Sequence, residues 1–127
     1  MSFLDRYSGI TFFLLRVIAG LLFACHGAQK TFGAFGGPKP LGNELLVVAG
    51  WIELVAGILV AVGFLTVPAA ILASGEMAVA YFKAHAPHSF WPIVNKGELA
   101  VVYCFLFLFV AASGAGRFSL DKAFRRR

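Results

Sequence analysis

Charged residues are scarce in this chain of 127 residues, and acidic residues are scarcer than basic ones. Asp, Glu, Lys and Arg together make up 13% of the sequence, whereas hydrophobic residues make up 60%. A soluble domain usually has about 25% charged and 45–50% apolar residues. This composition excludes an ordinary soluble domain and indicates an integral membrane protein. At this length we expect a single transmembrane domain over residues 1–127.

Cysteine is also rare and lacks the spacing of a metal or redox centre. Cys25 and Cys104 stand far apart and form no C-x-x-C pair, so we expect neither a zinc site nor a thioredoxin-type centre. The sequence contains no motif for haem, flavin or iron–sulfur binding. His26, His85 and His88 are potential imidazole ligands, but their spacing matches no zinc pattern. We therefore predict no metal and no covalently bound cofactor.

Most of the basic excess lies at the end of the chain, in "KAFRRR". The formal net charge is +5, from 11 Lys and Arg against 6 Asp and Glu. A terminal cluster of this kind suits the anionic cytoplasmic surface of a bilayer, at about 1 kcal/mol per basic residue. The aromatic residues are mostly Phe within apolar runs, whereas a nucleic-acid site needs solvated aromatics among basic residues. We expect a lipid bilayer as partner, and no nucleic acid.

The apolar runs predict four membrane-spanning helices. The apolar region from Leu45 to Phe82 is far longer than the ~20 residues of one span, so it must fold back on itself. Gly63 as a C-cap, Thr66 as an N-cap and Pro68 in the next first turn mark that reversal. The predicted helices cover residues 7–28, 45–63, 67–84 and 97–114.

An even number of spans places both termini on one side of the membrane. The terminal segments carry Arg6, Arg117 and the final basic cluster, whereas the opposite side carries Lys30, Lys39, Lys83 and Lys96. Under the positive-inside rule, this distribution puts both termini in the cytoplasm. We predict an all-α, polytopic four-helix bundle in the inner or plasma membrane.

Three charged residues fall deep inside the predicted helices, away from their ends: Arg16, Glu53 and Glu76. A central arginine opposes membrane insertion by about 2.5–3.5 kcal/mol, so it needs partners. At 1.5 Å per residue all three lie near the midplane, and small residues share their helix faces, as at contacts between helices in lipid. We predict an Arg16–Glu53–Glu76 cluster. It either fixes helix packing or forms a pocket for a ligand or proton.

A shallower polar layer is predicted near the outer face. It contains His26, His85, His88, Asn95 and Glu98. Asn95 and Glu98 also fit the N-cap and N3 positions of the last helix, as in a capping box. The sequence identifies no catalytic residue. The candidate ligand-binding residues from both layers are Arg16, His26, Glu53, Glu76, His85 and Glu98.

Several segments, taken in order, resemble the DoxX family. "RVIAGLLFACHGAQKTFG" is similar to the family pattern R-x-x-x-G-x-x-F-x-x-H-G-x-x-K-x-F-G. Lys96 departs from the family, which often has glycine there in an N-G-G-E run. The later segments that resemble family elements are "GWIELVAGILVAVG", "EMAVAYFKAH", "NKGELAVVY" and "GAGRFSLD".

The resemblance implies a small four-helix integral membrane protein with a redox association, because the family is named for a subunit of a quinone-linked thiosulfate oxidoreductase. Two functions stay open. One is a subunit of, or accessory to, a quinone-linked redox system, with quinone as ligand and other redox proteins as partners. The other is a non-catalytic scaffold, or a module that binds a lipid or small hydrophobic ligand. Intrinsic enzyme activity and homo-oligomer formation are left open.

Overall fold

The computed structural model describes residues 2–37, 39 and 42–126, so Arg127 of the basic terminal cluster lies outside it. Regular structure within the described residues is entirely helical, which confirms the all-α prediction. A 3₁₀ turn, Phe3–Tyr7, leads into the first helix. The α-helices are α1 (Ser8–Phe32), α2 (Glu44–Val62), α3 (Thr66–Ala80), α4 (Pro92–Asn95), α5 (Glu98–Ser113) and α6 (Leu120–Arg125).

Among the described residues, two helices are long and apolar enough to cross a membrane: Phe3–Phe32, counted with its 3₁₀ turn, and α2. α5 is a shorter apolar helix, and the 15 residues of α3 continue into a five-residue π-helical turn, Tyr81–His85. The outer surfaces of these helices are apolar, since Ile18, Ile71 and Phe105 are each more than half exposed. Extensive exposed apolar surface is typical of proteins that meet a membrane or a partner.

α1 and α2 run antiparallel and pack backbone against backbone. A Cβ atom added at Gly57 would lie 2.6 Å from both the Ala24 nitrogen and the Gly20 carbonyl oxygen. Gly27 approaches the α2 backbone at Gly50 in the same way. Small residues permit this approach, and it gives membrane helices their packing contacts. The small-residue faces predicted from the sequence therefore form the α1–α2 seam.

The reversal between α2 and α3 begins as predicted, at Gly63, which adopts a left-handed conformation with φ 72°. The N-cap of α3 is Leu65 rather than Thr66, so that prediction is wrong. The physical reason is a cap supplied by a distant residue. The Asp121 carboxylate accepts hydrogen bonds from the backbone N–H groups of Leu65 and Thr66, each at 2.9 Å.

The loop between the π-helical turn and α5 is organised by Asn95. Its amide nitrogen donates to the Tyr81 hydroxyl at 3.1 Å and to the Ser89 carbonyl at 2.7 Å. Its side-chain oxygen accepts from the Gly97 N–H at 2.8 Å. The predicted capping box is wrong, because Gly97 is the N-cap of α5 and Asn95 uses its side chain within the loop.

An aromatic cluster joins α5 to α1 in the core. Phe23 and Phe107 are almost fully buried, and their ring centroids lie 4.7 Å apart. Tyr103 stacks on Phe107 with a centroid distance of 5.6 Å. Offset and edge-on aromatic pairs contribute about 0.5–1.5 kcal/mol beyond the area that they bury. This cluster fixes α5 as one wall of the cavity described next.

Candidate functional site

A cavity of about 940 Å³ lies at one end of the molecule, between α1, α2, α3 and α5. We call this end the lysine end, because Lys30, Lys83 and Lys96 all line the cavity. The opposite end, which holds Arg16 and the segment after α5, is the arginine end. Ligand cavities in proteins measure about 300–1,000 Å³, so this volume suits a ligand of drug or cofactor size.

An ion pair between Lys30 and Glu53 crosses the floor of the cavity. The Lys30 ammonium group donates to Glu53 Oε1 at 2.5 Å. The Glu53 side chain is 1% exposed, and that of Lys30 is 28% exposed. Side chains on a helix point towards its N-terminus, so Lys30 reaches back along α1 from near the surface. The ammonium group therefore meets a carboxylate that is shielded from solvent.

Glu76 of α3 completes this polar floor. Glu76 lines the same cavity as Glu53 and Lys30. One oxygen of each carboxyl group, Glu53 Oε2 and Glu76 Oε2, is buried without a hydrogen-bond partner among the described residues. Buried polar atoms are normally hydrogen-bonded, so these two oxygens need a further proton or ligand.

The cavity also opens sideways between α2 and α3. Leu45 and Val48 of α2, with Ile71, Leu72 and Val79 of α3, line the cavity and are all exposed. The cavity wall is therefore continuous with the apolar outer surface of the two helices. An apolar chain could leave the cavity through this opening while a polar group stayed at the floor.

Residues 11–86, which include Lys30, Glu53 and Glu76, match the sequence profile of the DoxX family. The chain belongs to the DoxX family. This finding confirms the resemblance drawn from the sequence. A protein of Haemophilus influenzae, described as an uncharacterized protein, is 39% identical to this chain. The alignment is 134 residues long and covers 100% of each chain. No solved structure matches the chain.

In this DoxX chain Arg16 lies away from the cavity, and the predicted Arg16–Glu53–Glu76 cluster is wrong. The Arg16 side chain is 1% exposed and donates to three backbone carbonyl groups. The carbonyl of Ala61 belongs to the end of α2, at 3.4 Å. The other two belong to the segment after α5, where the Phe118 oxygen lies at 2.7 Å and Ala115 is the third acceptor.

Helix geometry explains why Arg16 and the glutamates lie apart. The prediction ended the first helix at residue 28, whereas α1 continues to Phe32, which places Arg16 four residues further from the lysine end. Its side chain also points towards the N-terminus of α1 and so away from Glu53. The same direction carries Lys30 towards Glu53. The cation of the carboxyl pair is therefore Lys30.

The remaining predicted site residues are divided between the cavity and the surface. His26 and His85 line the cavity, whereas Glu98 is exposed and lies outside its lining. The His26 ring lies edge-on to Tyr103 at 6.2 Å, and His85 Nδ1 is 3.2 Å from the Asn95 carbonyl oxygen. Within residues 2–37, 39 and 42–126, no three His, Cys, Asp or Glu side chains gather to hold a metal ion.

The lysines were missed as site residues in this DoxX chain, because sequence reasoning treated them as outer-loop charges. One signal pointed to Lys30. It follows His26 by four residues and Gly27 by three, and residues at these spacings share one helix face. Since Gly27 packs on α2, that face turns Lys30 towards the second helix. Lys83 and Lys96 carried no comparable signal.

Proposed function

We propose that this DoxX-family protein crosses the cell membrane four times, with both termini in the cytoplasm. The spans would be α1, α2, α3 with its π-helical turn, and α5. The 16 residues of α5 measure ~24 Å and the 25 residues of α1 ~37 Å, a range that tilt and local bilayer adjustment accommodate. The basic residues after α5 favour a cytoplasmic arginine end, so the cavity faces the outer side.

We further propose that the cavity binds a quinone and that the protein serves a quinone-linked membrane redox system as a subunit or accessory. The observation that carries this proposal is the polar floor beneath a side opening to lipid. A quinone has carbonyl oxygens that accept hydrogen bonds, and the Lys30 ammonium group is a donor at the floor. Its isoprenoid tail would pass between α2 and α3 into the bilayer. Electrons would come from a partner redox protein.

The aromatic wall of the cavity supports the same ligand class. Phe23 and Tyr103 line the cavity, and Phe107 holds Tyr103 in place by stacking on it. Aromatic rings attract one another in offset or edge-on arrangements, and a quinone ring offers a flat face of similar size. Proton uptake accompanies quinone reduction, and the carboxyl groups at the floor can exchange protons.

A second candidate, a lipid-binding module without redox activity, is favoured by the lysines at the cavity rim. Lys83 and Lys96 are both exposed and line the cavity. Ammonium groups attract anionic headgroups, and the side opening would take an acyl chain. This candidate uses the same cavity with a different ligand head.

Binding assays with a cavity-filling variant test these proposals. Gly75 lines the cavity and a Cβ added there would meet no atom within 4 Å, so Gly75→Leu is the variant chosen to fill the cavity. We expect a short-tailed benzoquinone to bind the wild-type protein in nanodiscs and to bind Gly75→Leu at least about tenfold more weakly, by equilibrium dialysis. Val67→Leu, on the same helix but outside the cavity lining, should bind like wild type.

The ligand that binds in these assays identifies the ligand class of the cavity. Saturable quinone binding that is lost in Gly75→Leu supports the redox proposal. Absence of saturable quinone binding overturns it. If quinone does not bind, and an unlabelled anionic lysophospholipid displaces its fluorescent analogue from the same cavity, the lipid-binding module is supported instead.

A further inference from the structure

We propose that Glu53 and Glu76 hold one proton between them, that Lys30 balances the remaining negative charge, and that this proton exchanges with outside water through the cavity. The proposal concerns the ligand-free protein and does not depend on quinone binding. It assigns a proton-binding site to the floor of the cavity, where the sequence predicted a different set of charges.

The hydrogen-bonding capacity of the two carboxyl groups indicates that they share a proton. Two ionised carboxylates offer acceptors and no donor, so a hydrogen bond between them requires a proton on one of them. Glu53 and Glu76 line the same cavity. Each also has a buried oxygen without a partner among the described residues. A single shared proton supplies the missing donor.

Charge balance also indicates one proton on the carboxyl pair. With both carboxyl groups ionised, the triad of Lys30, Glu53 and Glu76 would have a net charge of −1 in a site where Glu53 is 1% exposed. An uncompensated buried charge is strongly unfavourable, and like charges in one site disfavour ionisation of both. With one proton on the pair, the triad is neutral.

Other titratable groups around the triad do not replace that proton. α1 contributes His26, α5 contributes Tyr103, and the segment that follows α3 contributes Lys83, His85 and Lys96 to the cavity lining. Within the described residues, the ion pair made by either glutamate is that with Lys30. Lys83 and Lys96 are exposed, and solvent screens their effect on the floor.

The carboxyl pair has access to water through the cavity. Lys30 extends from the carboxyl pair towards the surface, and its side chain is 28% exposed. Gly75, next to Glu76 on α3, leaves its part of the cavity open. A proton on the pair can therefore exchange through the cavity without unfolding of a helix.

Infrared spectroscopy of the ligand-free protein in nanodiscs tests the proposal. At neutral pH we expect the carbonyl-stretch band of a protonated carboxylic acid, which shifts promptly when H₂O is replaced by D₂O. Glu76→Gln and Glu53→Gln should each abolish the band, because the remaining carboxylate is balanced by Lys30. Glu98→Gln and Glu44→Gln, at exposed positions, should retain it. Circular dichroism checks that each variant is helical, and Glu76→Gln decides if Glu53→Gln does not fold.

Lys30→Met should change the infrared band in the direction opposite to the two glutamine substitutions. Without its counter-ion the pair should bind a second proton, so the band should grow about twofold. A wild-type protein without the band at neutral pH would overturn the proposal. So would a band that survives both glutamine substitutions, or a band that exchanges in D₂O only on unfolding. Quinone binding is read from a different experiment, so failure of one proposal leaves the other testable.

Discussion

α1 carries two partly or fully buried cations, Arg16 and Lys30, and they are neutralised in different ways. They stand 14 positions apart, or ~21 Å along the helix. Arg16 meets three backbone carbonyl groups, whereas Lys30 meets a carboxylate. Carbonyl groups cannot take up or release a proton, so the hydrogen bonds of Arg16 leave its charge unchanged. The lysine end can change its charge.

The two ends also differ in how much space surrounds the cation. The Arg16 side chain is 1% exposed, and residues from α2 and from the segment after α5 enclose it. The lysine end has a cavity of about 940 Å³ and carboxyl oxygens without partners among the described residues. A satisfied, closed site stabilises the fold, whereas an open site with unused acceptors is available for a ligand or a proton.

The largest expected effect is at the arginine end. Arg16→Leu removes charged hydrogen bonds to the carbonyl groups of Ala61, Ala115 and Phe118. Each lost bond to a charged group is worth about 1.5–3 kcal/mol, so we expect the free energy of unfolding to fall by about 3–5 kcal/mol in detergent. The measurement is chemical unfolding followed by circular dichroism.

Limited proteolysis gives this prediction a local readout. In Arg16→Leu the segment after residue 113 should be cleaved much faster than in wild type, because Arg16 no longer binds it. Arg6→Leu, at an exposed position, is the matched control and should leave both stability and cleavage unchanged. Equal cleavage rates in wild type and Arg16→Leu would contradict the interpretation that Arg16 holds the segment after α5 against α1.

Two glycines sharpen the contrast between closed and open regions. Gly57 lies in the α1–α2 seam, where a Cβ would lie 2.6 Å from the backbone of α1, and Gly75 lies beside the cavity with no atom within 4 Å. Gly57→Ala should therefore reduce the free energy of unfolding by about 1–3 kcal/mol through overpacking. Gly75→Ala should increase it by about 0.5–1 kcal/mol, since alanine favours a helix more than glycine does. Unfolding titrations that gave both changes the same sign would contradict the packing described here.

Another small effect concerns Asp121, which caps α3 at the arginine end. Burial raises the pKa of Asp121, but hydrogen bonds from Thr66 and Leu65 outweigh that effect and, with Arg125 nearby, hold its pKa below the ordinary value. A lowered pKa stabilises the fold above the unfolded value of about 3.9, and this contribution is lost as the pH falls through the folded value. Asp121→Ala should lower the free energy of unfolding by about 1 kcal/mol at pH 7.

The pH dependence separates this cap from a general effect of charge. The stability difference between wild type and Asp121→Ala should shrink as the pH is lowered from about 5 to below about 4. Asp5→Ala, at an exposed position in the 3₁₀ turn, is the control and should show little difference at either pH. A difference for Asp121→Ala that is the same at pH 7 and at pH 3 would argue against a cap by the ionised carboxylate.

The sequence predicted the helices well because apolar runs and glycine breaks are local signals. The reversal at Gly63 and the small-residue seam around Gly57 both follow from residues near each other in the chain. Glu53 and Glu76 line one cavity, and the sequence suggested that they share a site because each lies on a helix face that also carries small residues.

The partners of the charged residues could not be predicted in the same way. Arg16 binds carbonyl groups about 100 positions later, and Asp121 caps a helix 55 positions earlier. Backbone carbonyl and N–H groups occur at every residue, so the sequence does not distinguish those that serve as partners. Counting residues from a helix end also ignores the direction of the side chain, which decided between Arg16 and Lys30.

The Arg16 contacts have a consequence for how the chain is made. Arg16 is synthesised early, whereas Phe118, one of its acceptors, follows 102 residues later. At about 5–20 residues per second, the ribosome needs roughly 5–20 s to supply that acceptor. During this interval the Arg16 guanidinium group still lacks the carbonyl groups of Ala115 and Phe118. The hydrogen bonding of Arg16 is therefore completed only after the segment that follows α5 has left the ribosome.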